Sequence, residues 1–81
     1  MKLYLVEILR YADPKESQFF GVFHKSKKQI FKIMKEYNDY RGGKYPAYRL
    51  TEFKLDREEN FDNNMKKEIV YIDQSYKKTE A

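Results

Sequence analysis

The sequence predicts an α+β fold: an antiparallel sheet of three to four strands with one helix on one face. Two observations support this prediction. The chain contains four short apolar segments rich in β-branched and aromatic residues, and a single segment with clear helical periodicity lies between the second and third of them. The element order is therefore β-β-α-β-β, and the strand order that makes every neighbouring pair antiparallel is 2-1-3-4.

The first strand is predicted over residues 2–11, where apolar side chains occupy both faces. Such a strand is typical of the interior of a sheet, so we expect it to be central. The polar loop after it begins a turn at Asp13-Pro14. Residues 18–24 follow as the second strand because of their aromatic and β-branched content. Gly21 within them indicates a β-bulge or a close approach of another backbone segment.

The helix is predicted over residues 26–40. Ser26 followed three residues later by Gln29 is a capping box, in which each side chain binds the backbone N–H of the other residue. Beyond it, apolar residues recur at the spacing of one helix face, which predicts an amphipathic helix packed on the sheet. Gly42-Gly43 predicts the end of the helix, since glycine adopts a left-handed cap without steric strain.

The third strand is predicted over residues 45–56, and its apolar side chains change parity near Thr51-Glu52. Such a change indicates a bulge or a twist at that point. The fourth strand is predicted over residues 67–73 from a run of β-branched residues. The spacing of the apolar residues in this last segment also fits a helix, so the alternative stays open.

Composition places the chain among small soluble domains of the cytoplasm. With 81 residues it has room for one domain, predicted over residues 1–76, with a frayed tail over residues 77–81. The sequence contains no cysteine, which excludes disulfides and thiolate metal sites, and no apolar run long enough to span a membrane. Its one histidine, His24, has no evident nucleophile beside it, so we expect neither an enzyme nor a bound metal or cofactor.

Positive charge is concentrated between residues 25 and 49, in the helix and the loop after it. Lysines at the start of a helix oppose its dipole, whereas a bound anion would be stabilised by the dipole and by the lysines. The loop alternates basic and aromatic side chains, a mixture that can hold phosphates and stack bases. The alternatives are a solvated helix surface and tyrosines that pack on the sheet. The predicted anion- or partner-binding residues are Lys25, Lys27, Lys28, Lys32, Lys35, Arg41, Lys44, Tyr45, Tyr48 and Arg49.

One helix cannot cover both faces of a four-stranded sheet, so one face is expected to stay uncovered. An exposed apolar patch of that kind commonly marks an interface. We expect this surface or an unpaired sheet edge to form a homodimer or to bind a partner protein. The predicted interface residues come from the second and fourth strands and are Phe19, Phe23, Val70, Tyr71 and Ile72.

The sequence resembles a small family of uncharacterised bacterial and phage proteins over residues 2–56. The segments that carry the resemblance are Tyr4-Leu5-Val6-Glu7, Gly21-Val22-Phe23 with Ser26, and Tyr48 with Glu52-Phe53-Lys54-Leu55-Asp56. The resemblance implies a β-β-α-β core and no catalytic residue, and the chain departs from the family pattern after Asp56. The composition, rich in Lys, Tyr, Asn and Ile, is also similar to that of small accessory proteins of phages, some of which inhibit host antiviral defence.

Together these observations predict a non-catalytic interaction protein, encoded by a phage or mobile element, that binds and inhibits a host protein. The alternative is an anion-binding module for nucleic acid or a signalling nucleotide, which would use the basic helix start and the Tyr/Arg/Lys loop. A third hypothesis, a transcriptional regulator that inserts the basic helix into a DNA groove, has no sequence motif to support it.

Overall fold

The structure, a computed structural model, describes residues 2–54 and 66–77 of the chain. Four strands form one antiparallel sheet in the order β2-β1-β3-β4, and one helix follows β2 in the chain. These predicted features, an α+β fold with strand order 2-1-3-4, are confirmed. The elements are β1 (Lys2–Leu9), β2 (Ser17–Phe23), α1 (Lys27–Tyr40), β3 (Ala47–Lys54) and β4 (Lys66–Tyr71). The predicted last residues of the third strand, 55–56, and the predicted tail from residue 78 onward lie outside the described residues.

Strand β1 is central, as its two apolar faces predict, and pairs with β2 on one side and β3 on the other. It ends at Leu9 rather than at residue 11, because the chain turns sharply there. Tyr11 and Ala12 have φ values of 52° and 61°, and the N–H of Asp13 donates to the carbonyl of Arg10 at 3.0 Å. Two successive residues in the left-handed region reverse the chain direction.

This turn gives a prediction for stability. A residue with a Cβ is strained at positive φ, whereas glycine is not. Ala12→Gly is therefore expected to raise the free energy of unfolding by about 0.5–1 kcal/mol, after allowance for the larger backbone entropy of unfolded glycine. Gly43→Ala is the matched control, because Gly43 has φ 79° and should lose stability. Denaturant unfolding measures both, and a destabilised Ala12→Gly variant would contradict the strain argument.

Helix α1 begins and ends as predicted. The Ser26 Oγ accepts from the N–H of Gln29 at 3.2 Å, and the Gln29 Oε1 accepts from the N–H of Ser26 at 3.1 Å. Gly42 and Gly43 adopt positive φ beyond the last turn, and the N–H of Gly43 donates to the carbonyl of Asn38 at 2.8 Å. Both ends of the helix thus satisfy backbone groups that would otherwise have no partner.

The core lies between α1 and one face of the sheet. Its buried side chains come from the two central strands, from α1 and from the segment that leads into β3. They are Tyr4, Val6, Ile8, Ile30, Met34, Tyr45, Tyr48 and Leu50. Residues that are directly opposite each other on neighbouring strands share a face. The buried positions in β1 therefore identify the face of every other strand that α1 covers.

Strand β2 contains a bulge at Phe20. Val6 is opposite Gly21 and Glu7 is opposite Phe19, so Phe20 has no residue opposite it in β1. The bulge predicted from Gly21 is therefore confirmed. It has a consequence for the faces of β2: Phe19 and Val22 lie on the same face although they are three residues apart, because one extra residue shifts the alternation.

Of the bulge or twist predicted near Thr51 and Glu52, the bulge is wrong. Strand β3 pairs with β1 without interruption from Lys54, opposite Lys2, to Ala47, opposite Leu9. The apparent change of parity arises because β3 has apolar residues on both faces. Leu50 packs in the core, whereas Phe53 lies opposite Leu3 on the other face of the sheet.

The fourth segment is a strand, so the strand prediction is confirmed over its helical alternative. It ends at Tyr71 rather than at residue 73, because Asp73 caps a short 3₁₀ turn, Gln74–Tyr76. The Asp73 carboxylate accepts from the N–H and the hydroxyl of Ser75 at 3.0 and 2.7 Å. These two hydrogen bonds hold the pKa of Asp73 below its ordinary value.

Candidate functional site

The candidate site is the face of the sheet opposite α1, here called the open face. Tyr4, Val6 and Ile8 point into the core, so the alternate residues of β1 and their cross-strand neighbours point away from the helix. The side chains of the open face that reach the surface are Leu3, Leu5, Glu7, Phe19, Val22, Arg49, Phe53, Lys67, Ile69 and Tyr71. All four strands contribute to this surface.

The open face is largely apolar. Phe19 and Val22 are 67 % and 48 % exposed, and Leu3, Leu5, Phe53, Ile69 and Tyr71 are half-buried by their neighbours in the sheet. At one end of the face, the 3₁₀ turns that follow β1 contact β1 and β3, and Leu9 and Ala47 are fully buried there. The rest of the face has no covering element within residues 2–54 and 66–77.

An ion pair lies in the middle of the open face. The Arg49 Nη1 is 3.4 Å from the Glu7 Oε1, and the two side chains are 24 % and 26 % exposed. The Arg49 Nη2 also donates to the carbonyl of Pro14 at 3.4 Å. Arg49 was predicted from sequence to bind an anion with the loop after the helix. It instead neutralises a carboxylate on the other side of the sheet.

The residues predicted to form the interface lie on two different faces. Phe19 and Tyr71 are on the open face, but Phe23, Val70 and Ile72 pack against the core on the helix side. These three residues therefore lie on the covered side of the sheet and not on its uncovered face. The bulge in β2 places Phe23 opposite Tyr4, and the register of β4 places Val70 opposite the buried Tyr48.

Two of the predicted anion-binding residues are core residues. Tyr45 and Tyr48 are buried, Tyr48 with an exposed fraction of only 1 %. Stacking of a base on either ring is therefore excluded, and the alternative in which the tyrosines pack on the sheet is correct. The Tyr45 ring contacts the ring of Tyr37, with centroids 5.6 Å apart. The Arg41 guanidinium lies 5.7 Å from the Tyr45 centroid, so this cation also has a structural contact.

The remaining predicted basic residues are on the surface. Lys25, Lys28, Lys32, Lys35 and Lys44 are all exposed. Lys27 differs from them, because its Nζ is 3.0 Å from the Glu68 Oε1 and this contact raises the pKa of Lys27. The structure therefore separates a line of lysines on the outer side of α1 from a lysine that joins the start of α1 to β4.

A recess of about 150 Å³ lies between the start of α1 and strands β3 and β4. A hydrogen bond from the Tyr4 hydroxyl at 3.1 Å, with Lys2 at 3.6 Å, lowers the pKa of Glu52 there. The recess has as many lysines as glutamates, so it attracts neither sign of charge strongly. Its lining residues are Lys27, Leu50, Glu52, Lys66 and Glu68. Sequence reasoning missed the two glutamates, because only the pairing of β3 with β4 brings them together beside Lys27.

Asn38 is a buried polar residue that sequence reasoning also missed. Its Oδ1 accepts from the N–H of Tyr45 at 2.8 Å, and its side chain is 7 % exposed. The helical spacing indicates that Asn38 is buried, since it follows Ile30 and Met34 at intervals of four residues on the face of α1 that packs in the core. This hydrogen bond ties the loop after α1 to the helix.

The pKa of Tyr48 gives a prediction at high pH. Burial raises it from 10.0 to about 12. Between these pH values the unfolded chain loses a proton that the folded chain keeps. The contribution of Tyr48 to the free energy of unfolding is therefore fully present below about pH 10, and above that pH it falls by about 1.4 kcal/mol per pH unit. We expect native protein to lose about 2 kcal/mol more than Tyr48→Phe between about pH 9 and pH 11.5 in denaturant unfolding. Equal losses would contradict this pKa.

Other kinds of site have no support in the described part of the chain. No three His, Asp or Glu side chains of residues 2–54 and 66–77 converge as they would around a metal ion. No helix within the same ranges is long and apolar enough to cross a membrane. Comparisons with protein-family models, with curated proteins and with solved structures found no match to this chain.

Proposed function

We propose that this chain is a non-catalytic interaction protein that binds a partner protein through the open face. The observation that supports the proposal most is the exposure of apolar side chains on this face, above all Phe19 and Val22. Burying such side chains contributes about 25 cal/mol for each Å² of apolar surface removed from water. A contiguous patch of that kind on a small domain commonly marks a protein–protein interface.

The shape and charge of the open face also favour a protein partner over a small molecule. The face is one side of a sheet rather than a concave cavity, and small ligands are generally bound in cavities that bury most of their surface. The Glu7–Arg49 pair adds polar groups near the middle of an otherwise apolar patch. Polar groups of this kind contribute more to the choice and orientation of a partner than to affinity.

The test compares two variants with matched substitutions in an affinity capture from cell extract. Leu5→Gln with Ile69→Gln makes the open face polar. Lys32→Gln with Lys35→Gln introduces the same residue type on the outer side of α1. We expect a protein captured by the native chain to be retained by the second variant and lost by the first. Circular dichroism of both variants controls for folding, and equal capture by both would contradict the proposal.

We propose further that the partner is a host protein and that binding inhibits it, as the similarity in composition to small phage accessory proteins implies. Antiviral defence proteins are the class on which such an inhibitor would act. The activity of the captured protein, measured with increasing amounts of the native chain, tests this step. Unchanged activity at saturating amounts would leave binding in place and contradict inhibition.

A second candidate function is the binding of a polyanion along α1. Lys28, Lys32 and Lys35 recur at intervals of four and three residues on the outer side of the helix, and all are exposed. Among the described residues, no acidic side chain lies within ion-pairing distance of these three. Such a line of cations matches a phosphate backbone, whose contacts weaken steeply as the salt concentration rises.

Titration of a fluorescent single-stranded oligonucleotide at low salt tests this second candidate. Replacement of Lys28, Lys32 and Lys35 by glutamate should abolish binding, whereas Leu5→Gln with Ile69→Gln should leave it unchanged. Lys27 is left intact in this experiment because its ion pair with Glu68 joins α1 to the sheet. No measurable binding by the native chain at low salt would exclude this function.

A further inference from the structure

The two edges of the sheet differ in charge. Strand β4 begins with the three charged residues Lys66, Lys67 and Glu68, and charged side chains of this kind discourage an edge from pairing with another strand. Strand β2, at the other edge, has the sequence SQFFGVF and no charged residue. Within residues 2–54 and 66–77, no strand pairs with the outer side of β2. This edge therefore lacks the usual charged protection.

The bulge in β2 decides which strand can match this edge residue for residue. Phe19 and Val22 lie on the open face, whereas Phe20 and Gly21 both lie on the helix side. Residues opposite each other in an antiparallel pair must share a face. A regular strand can pair across the bulge only if one of its residues lies opposite both Phe20 and Gly21, as Val6 of β1 does on the inner side. A strand with the same bulge can match β2 along its whole length.

A second copy of β2 provides such a strand. If two copies pair antiparallel about a two-fold axis between Phe20 and Gly21, Phe19 lies opposite Val22 of the partner subunit and Gln18 lies opposite Phe23 of the partner subunit. Phe19 and Val22 belong to the open face, and Gln18 and Phe23 belong to the helix side. Every position from 18 to 23 then faces a residue of its own side.

The flanking charges are complementary in the same register. Glu16 immediately precedes β2, and Lys25 follows it after one intervening residue. The two-fold axis that matches the faces also brings Glu16 opposite Lys25 of the partner subunit. Symmetry repeats this pair on the other side of the axis. Both side chains are exposed, so the opposite charges are available to a second copy.

We propose that the chain forms a two-fold symmetric homodimer in which the β2 strands pair, giving one continuous eight-stranded sheet. The two open faces then form a single larger surface, with each Phe19 beside Val22 of the partner subunit. The helices lie on the same side of the joined sheet, since the faces match across the axis. The proposal concerns the purified chain alone and does not depend on the partner protein proposed above.

Sedimentation equilibrium of the purified chain, with charge reversals at the two flanking positions, tests the dimer. Glu16→Lys or Lys25→Glu alone brings like charges together twice per dimer, and we expect each to raise the dissociation constant about tenfold. The double variant restores opposite charges in reversed order and should recover most of the native affinity. If the two charge reversals change the dissociation constant independently, with no recovery of affinity in the double variant, the proposed register is overturned.

A second variant tests the edge itself. Val22→Lys places a cation opposite Phe19 of the partner subunit at both symmetry-related positions and is expected to leave only monomer. Because Val22 is already exposed in the single chain, this variant should fold as the native chain does. Leu5→Gln with Ile69→Gln alters the open face on β1 and β4 without changing the outer edge of β2, and this variant should remain dimeric. A native chain that is monomeric at all concentrations, or a dimer unaffected by Val22→Lys, would overturn the proposal.

Discussion

Ile30→Ala is expected to lower the free energy of unfolding by about 2–5 kcal/mol, a large part of the stability of a domain this small. Ile30 is fully buried on the side of α1 that faces the sheet. The substitution removes apolar contacts with the central strands and leaves a cavity that the surrounding side chains fill only in part. Because α1 is the single helix that covers this face in the described ranges, no other described helix compensates for the loss.

Phe31→Ala is the matched control for this prediction. Phe31 is the next residue of α1 and is 36 % exposed, so its truncation should cost about 1 kcal/mol or less. Urea denaturation followed by circular dichroism measures both variants. If Ile30→Ala lowers the free energy of unfolding no more than Phe31→Ala does, α1 does not pack on the sheet through the face that contains Ile30.

Asn38→Leu is expected to lower the free energy of unfolding by about 1–3 kcal/mol, even though leucine is of similar size and more apolar. The substitution removes the Oδ1 that accepts the N–H of Tyr45. That N–H would then be buried without a partner, since Tyr45 itself is buried beside α1. The cost comes from the unpaired donor rather than from lost packing, which separates this effect from that of Ile30→Ala.

Hydrogen exchange distinguishes the two effects. In Asn38→Leu, exchange of the Tyr45 amide should accelerate much more than exchange of amides in the centre of β1. The control is Asp39→Leu, which changes the exposed neighbour and leaves the acceptor intact. Protection of the Tyr45 amide that is equal in Asn38→Leu and Asp39→Leu would show that the side-chain hydrogen bond does not hold the loop.

The strand order could be predicted from sequence because few arrangements fit both the apolar faces of the first strand and the position of the helix in the chain. A first strand with two apolar faces needs neighbours on both sides, and a helix between the second and third strands has to cross the sheet. The helix ends were also predictable, since Ser26, Gln29 and the two glycines act locally. These signals depend on residues close together in the chain, so they need no knowledge of the packed structure.

The faces of the strands could not be predicted in the same way. Strand β1 is apolar on both faces, so its sequence does not say which face α1 covers. In β2, Gly21 indicates that a bulge lies nearby, but the position of the extra residue decides whether Val22 or Phe23 points to the helix. For this reason the sequence did not show that Phe23, Val70 and Ile72 lie on the side that α1 covers.

The electrostatic contacts were predictable only in part. The exposed lysines on α1 follow from helical spacing, whereas the partners of Lys27 and Arg49 lie on strands far away in sequence. Glu68 and Glu7 reach these cations through the register of the sheet, which is decided by packing. Tyr45 and Tyr48 looked like members of a basic and aromatic loop because a loop tyrosine and a core tyrosine have the same sequence signature.

The pairing of β1 with β3 determines how fast this chain can fold. It joins the first strand to a strand that comes after β2 and α1 in the chain, with Lys2 opposite Lys54. The β1–β2 hairpin and α1 are local structures that form within about microseconds, but neither completes the core. Closing the long loop costs chain entropy before any contact between β1 and β3 compensates for it. We therefore expect this closure to limit folding and to make it slower than that of a helical domain of similar length.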